Sequence, residues 1–176
     1  MTSTSITQSE ISRRIAVVEA QPDTDSRGKA FEEVAQYLFT CIDCPNERNL
    51  VSPMHAEQVD LAACHMGSLA PLPNFFLVEC KYWDKPLTSA AVGYFINTCA
   101  NRQVDLGIIM SKKGLTGNAA DATSAHSLAY GASSRGVHLV VITLAHLHAI
   151  TSNEDMIYMM RRSWIRAVAT GGIGIA

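Results

Sequence analysis

The chain has 176 residues, the length of one domain, and carries 14 Lys and Arg against 16 Asp and Glu. With 48% hydrophobic and 17% charged residues it is too apolar for a disordered chain, and its net charge of −2 excludes a polycation that coats nucleic acid. The charge is split, however: residues 1–60 hold five basic and ten acidic side chains, and residues 61–176 hold nine and six. The second half can therefore present a positive face. Five cysteines, an odd number, follow a polar N-terminus (MTSTSITQSEISRR), which argues against a disulfide framework and makes a reducing cytoplasm the expected setting. No apolar run approaches the roughly 18 residues of a membrane span.

In chain order, Ile11, Ile15 and Val18 predict a short helix over Gln8–Glu19, broken by the Pro-, Asp- and Ser-rich segment 21–28. Phe31, Val34, Ala35, Leu38 and Phe39 predict an amphipathic helix over residues 29–40, with Glu32 and Glu33 near its start. Strands are expected at 49–54, 57–64 and 75–82, then a helix at 88–103 capped by Thr88. LGIIM at 106–110 reads as a central strand, followed by a Gly-containing turn at 111–118 and an Ala-rich helix at 119–132. A further buried strand is expected at 137–143, one helix from 144 to about 169, and a flexible tail over 170–176. His146 and His148 mark the corner between that strand and helix. The alternation predicts an α/β fold with a central mixed sheet flanked by helices and right-handed crossovers. Residues 1–26 read as a helical extension and 27–169 as the main domain.

The chemistry concentrates at Glu79-Cys80-Lys81, the end of an otherwise apolar strand. Residues two apart on a strand share a face, so Glu79 and Lys81 point together while Cys80 points the other way. Asp60 falls late in the preceding strand, and in an antiparallel pair it meets Glu79 across the sheet. Two carboxylates converging beside one Lys stabilise little, because like charges repel, but they suit a hard divalent cation.

Asp60, then Glu79-x-Lys81, after an acidic helix, resembles the PD-(D/E)XK nuclease superfamily, in its restriction-endonuclease-like, Mrr-related branch. The resemblance spans about residues 27–143. RGKAFE at 27–32 looks like the first core helix, QVDL at 58–61 like the strand with the first metal-binding Asp, and FLVECKYW at 76–83 like the catalytic strand. GIIMSKKGLT at 107–116, with Ala119 and Ala120, resembles the strand-to-helix turn that follows. No Pro precedes Asp60, a departure common in the family.

The resemblance implies a restriction-endonuclease-like core and Mg²⁺- or Mn²⁺-dependent hydrolysis of DNA, with RNA not excluded, in defence against foreign DNA. Asp60, Glu79 and the Cys80 backbone carbonyl would hold the metal, with Glu32 on a second ion or a bound water. Glu33 and Glu57 are alternatives for that auxiliary acid. Lys81 would orient or deprotonate the attacking water, or offset charge at the phosphate. Arg102, Ser111, Lys112, Lys113 and Asn118 are candidates for phosphate contacts, and Tyr82 and Trp83 for base stacking or for packing at the core rim. Such domains act as dimers or with a sensor subunit, and a metal-dependent one of low charge should bind nucleic acid weakly without its ion. The rival is a catalytically idle member of the fold that only binds nucleic acid or protein. Cys41, Cys44, Cys64 and His65 also present a zinc-like set, though without a second Cys-x-x-Cys.

Overall fold

The computed structural model describes residues 5–52, 57–117 and 125–176. Two helices open the chain, α1 (Gln8–Glu19) and α2 (Thr24–Cys41). Each begins at a side chain that accepts a hydrogen bond from an otherwise unpaired backbone N–H: Thr7 from Glu10, and Asp23 from Ser26. The Asp23 cap explains why α2 starts five residues before the expected position 29. The polar cluster is the helix start, not only a break. The proposed division at residue 26 thus falls inside α2, and α1 buries Ile11, Ile15 and Val18 in the same core as α2.

A six-stranded mixed sheet runs in chain order through β1 (Asn46–Val51), β2 (Gln58–Cys64), β3 (Phe75–Lys81), β4 (Leu106–Ser111), β5 (His138–Thr143) and β6 (Ile173–Ile175). The first three strands pair antiparallel, and β3 to β6 are parallel. Between the parallel strands lie α3 (Ser89–Asn101), α4 (Ala125–Ala132), and the pair α5 (Leu144–Ala149) and α6 (Asn153–Thr170). Thr88 caps α3 as expected, its hydroxyl accepting from Ala91. Parts of the expected first strand (53–54) and of the Ala-rich helix (119–124) lie outside the described residues.

Strand alternation splits the core in two. Leu61, Phe76, Val78, Cys80, Met110 and Ile142 face α1, α2, α5 and α6, whereas Leu77, Ile109, Leu139 and Val141 face α3 and α4. Strand order advances steadily while the last connection crosses the opposite face, so that connection has the opposite hand from the two before it. A uniform right-handed winding therefore does not hold.

Two more expectations give way. The helix expected over 144–169 is interrupted: Ile150 is extended, Ser152 caps α6, and Asp155 accepts from the Thr151 N–H and hydroxyl at 2.9 and 2.6 Å. The tail is not free either, because β6 pairs with β5 through Leu139↔Ile173 and Val141↔Ile175. His146 does mark the corner, its Nδ1 accepting the Thr143 N–H at 3.0 Å. Among the described residues, no helix is long and apolar enough to cross a membrane.

Candidate active site

The antiparallel ladder between β2 and β3 runs from Cys64↔Phe75 to Leu61↔Val78 and then stops. Beyond it the Asp60 carboxylate takes the place of a ladder partner: Oδ2 accepts the Cys80 backbone N–H at 2.9 Å. Lys81 Nζ lies 3.2 Å from that same oxygen and 2.7 Å from Glu79 Oε1. Glu79 and Lys81 follow Leu77 on one face of β3, while Cys80 turns into the opposite core. Complete burial there pushes the Cys80 thiol well above its ordinary pKa, so it stays protonated and inert.

Pairing also lapses on the other side of Asp60. β1 meets β2 through Arg48↔Leu61 and Leu50↔Val59, but no pair is made between Asn49 and Asp60. Asn49 sits at φ 57°, the left-handed region, which Asn tolerates better than most residues. Asp60 therefore occupies a register position where the sheet is open toward both neighbours.

These residues share an open cleft of about 440 Å³. From α2, Asp25, Lys29 and Glu32 reach it, and from α3 the half-exposed Tyr94. Asp25 and Lys29 neutralise each other at 2.8 Å. Glu32 is buried, and its Oε2 has no hydrogen-bond partner among the described residues. Burial, and then the nearby Asp60 charge, raise its pKa to about 7. Burial and Asp60 likewise raise Glu79, against the lowering pull of Lys81. For Lys81, burial favours the neutral form, but the Glu79 and Asp60 charges outweigh it and hold the amine as an ammonium. Three acids thus surround one cation, an arrangement short of positive charge.

The remaining predicted residues are placed elsewhere. Glu33 is exposed and faces Arg48 at 3.6 Å. Glu57 and Arg102 form an ion pair with each other, joined by Asn101, so neither faces the cleft as a free group. Ser111 is wholly buried, and its Oγ accepts the Gly114 N–H at 2.9 Å, which commits it to the turn. Lys112 pairs with Asp84 at 2.7 Å and lies 4.9 Å from the centre of the Tyr82 ring, and Lys113 is exposed. Asn118 falls outside the described residues. Of the zinc-like set, His65 is used otherwise: its Nδ1 accepts from Gly67 and Leu69, and its Nε2 meets the Leu72 carbonyl at 3.1 Å.

Among the described residues, no group of three or more His, Cys, Asp or Glu is arranged as a ready-made metal cage. The donor chemistry still fits a hard ion. Asp60 and Glu79 offer carboxylate oxygens converging on one point, held by an ammonium, and Glu32 adds an unpaired buried oxygen. Sequence reading missed Asn49, Gln58, Tyr94, Asp25 and Lys29 as cleft residues. Only the Asp25–Lys29 spacing, four apart on a helix, carried a readable signal. No family model and no curated protein matches the sequence.

Proposed function

We propose that this chain is a metal-dependent endonuclease of restriction-endonuclease-like fold that hydrolyses phosphodiester bonds in DNA. The observation that carries the reading is the meeting of Asp60, Glu79 and Lys81 at the opened end of the β2–β3 ladder, with Glu32 in the same cleft. Asp60 and Glu79, with the Cys80 carbonyl, would hold Mg²⁺ or Mn²⁺. A divalent ion bound there supplies Lewis-acid polarisation of the phosphate and a more acidic water.

The side chains themselves divide the remaining work. Lys81, held as an ammonium, donates to a non-bridging phosphate oxygen and offsets the charge that grows there. It is unsuited to act as base. Glu32, whose buried Oε2 is unpaired and lines the cleft, is placed to accept the proton of the attacking water as the new P–O bond forms and the P–O bond to the leaving sugar oxygen breaks, that oxygen taking a proton from solvent.

The test is direct. Plasmid and single-stranded DNA are incubated with the protein in Mg²⁺, in Mn²⁺ and in EDTA. Cutting that requires the metal and disappears in Lys81→Ala and Glu79→Gln supports the reading. Absence of cutting on both substrates, or undiminished cutting by Lys81→Ala, overturns it.

A further inference from the structure

A second hollow, of about 360 Å³, lies where the chain leaves β3. Trp83, Tyr82, Arg27, Thr24 and Lys85 line it, and its wall is mostly apolar. Tyr82 forms a rigid floor: its ring meets Phe31 edge-on at 5.1 Å, and its hydroxyl donates to Glu19 Oε1 at 2.9 Å. Trp83 is half-buried, leaving part of the indole open to the hollow. Arg27 is held in place by its Nε, which donates to the Gln21 carbonyl at 3.1 Å. Asp84, the one acid on this wall, is already paired with Lys112 at 2.7 Å, so the rim is left with the charges of Arg27 and Lys85.

The hollow adjoins the candidate site along the chain and lies across α2 from it. Trp83 follows Lys81 by two residues. The first two turns of α2 stand between the two depressions, with Asp25, Lys29 and Glu32 on the cleft side and Thr24 and Arg27 on the other. We infer that this hollow is a base-stacking subsite, which receives one unpaired nucleobase next to the phosphate held at Lys81. An aromatic wall under a cationic rim suits a flat π-system carried on a phosphate chain. A base stacked and paired inside a duplex cannot enter such a hollow, so the substrate class is a single strand or a strand with a displaced nucleotide. This inference rests on the nuclease reading of the neighbouring cleft, and it adds which form of nucleic acid that cleft takes.

Only two tryptophans occur, Trp83 and Trp164, and Trp164 packs against His138 at 5.2 Å and does not line the hollow. Trp164→Phe in a Glu32→Gln background, which keeps Asp60 and Glu79, therefore leaves Trp83 as the reporter. Titration with a single-stranded DNA 12-mer, with Mg²⁺ present, should quench its emission, while a blunt duplex of the same sequence should not. In anisotropy with a labelled 12-mer, Trp83→Ala should weaken binding roughly 10-fold or more, with Trp83→Phe retaining most of the affinity. Equal affinity in Trp83→Ala, equal quenching by duplex, or absence of binding to the single strand overturns the subsite. Quenching by the 12-mer in a protein that cuts neither plasmid nor single strand leaves the subsite standing and removes the hydrolysis.

Discussion

The two halves of the sheet are built on opposite terms. From β4 to β5 the ladder is unbroken, Leu106↔His138 through Ser111↔Thr143, and every residue of β4 is buried. Packing there is tight enough that a Cβ on Gly107 would stand 2.9 Å from both Leu139 Cδ2 and Phe95 Cε1. Around Asp60, by contrast, pairing lapses toward both β1 and β3, and the space is taken by charge rather than methyl groups. Burying three carboxylates beside one ammonium gives up backbone pairing and packing and leaves the region dependent on whichever cation it holds. One half supplies stability, and the other holds an excess of negative charge around a single ammonium.

Removing the cation should break this contrast most sharply. Lys81→Ala leaves Asp60 and Glu79 facing each other without an intervening charge, at a cost of about 3–5 kcal/mol in EDTA. Because a divalent ion can replace the lost ammonium, added Mg²⁺ should recover part of that loss in thermal melts, while cleavage stays down by about 100-fold or more. A variant equally stable with and without Mg²⁺ would remove the metal from the account.

The packed half should respond in the opposite manner. Gly107→Ala must displace Leu139, Phe95 or Cys99, whose Sγ would lie 3.1 Å from the new methyl. Overpacking of this kind costs about 1–3 kcal/mol, read as a lower urea midpoint. Mg²⁺ should not restore it, and cleavage per folded molecule should be unchanged.

How much of this was readable beforehand follows the same division. The parity of Leu77, Glu79 and Lys81 against Val78 and Cys80 needed only strand geometry, and the convergence with Asp60 needed only an antiparallel neighbour. Apolar runs such as LGIIM announced their strands because a strand covered on both faces leaves little choice of residue. What escaped were features that depend on distant partners. Glu57 and Arg102 neutralise each other across 45 positions, and Ile173–Ile175 becomes a strand only because β5 offers an edge. The Asp23 cap and the break at 150–152 were misread because polar side chains that end one helix also begin the next.

Glu32 offers a subtler handle on the charged half. Its folded pKa of about 7 lies above its ordinary value of 4.5, so the folded protein holds that proton more tightly than the unfolded chain. The associated stability is present below pH 4.5 and is lost as pH rises through about 7. Glu32→Gln, which cannot ionise, should therefore match the parent near pH 4 and exceed it by about 3 kcal/mol at pH 8 in EDTA, while losing cleavage. Chemical denaturation at the two pH values measures the difference. A gain of equal size at both would assign it to packing rather than charge.

The smallest effect expected is at Asn49, whose left-handed backbone lies where the ladder lapses beside Asp60. A left-handed φ of 57° costs an Ala about 1 kcal/mol more than it costs Gly, and Asn falls between them. Asn49→Gly should therefore keep both stability and cleavage. Asn49→Ala should lose about 1 kcal/mol, or return to extended geometry and close the pairing with Asp60. The second course draws Asp60 back toward a regular strand position and away from Cys80 and Lys81, so cleavage should fall while stability holds. Measuring urea midpoints and cleavage rates for both variants separates these outcomes. Equal rates in Asn49→Gly and Asn49→Ala would show that the opening at Asp60 is maintained by the carboxylates and Lys81 themselves, not by the twist in β1.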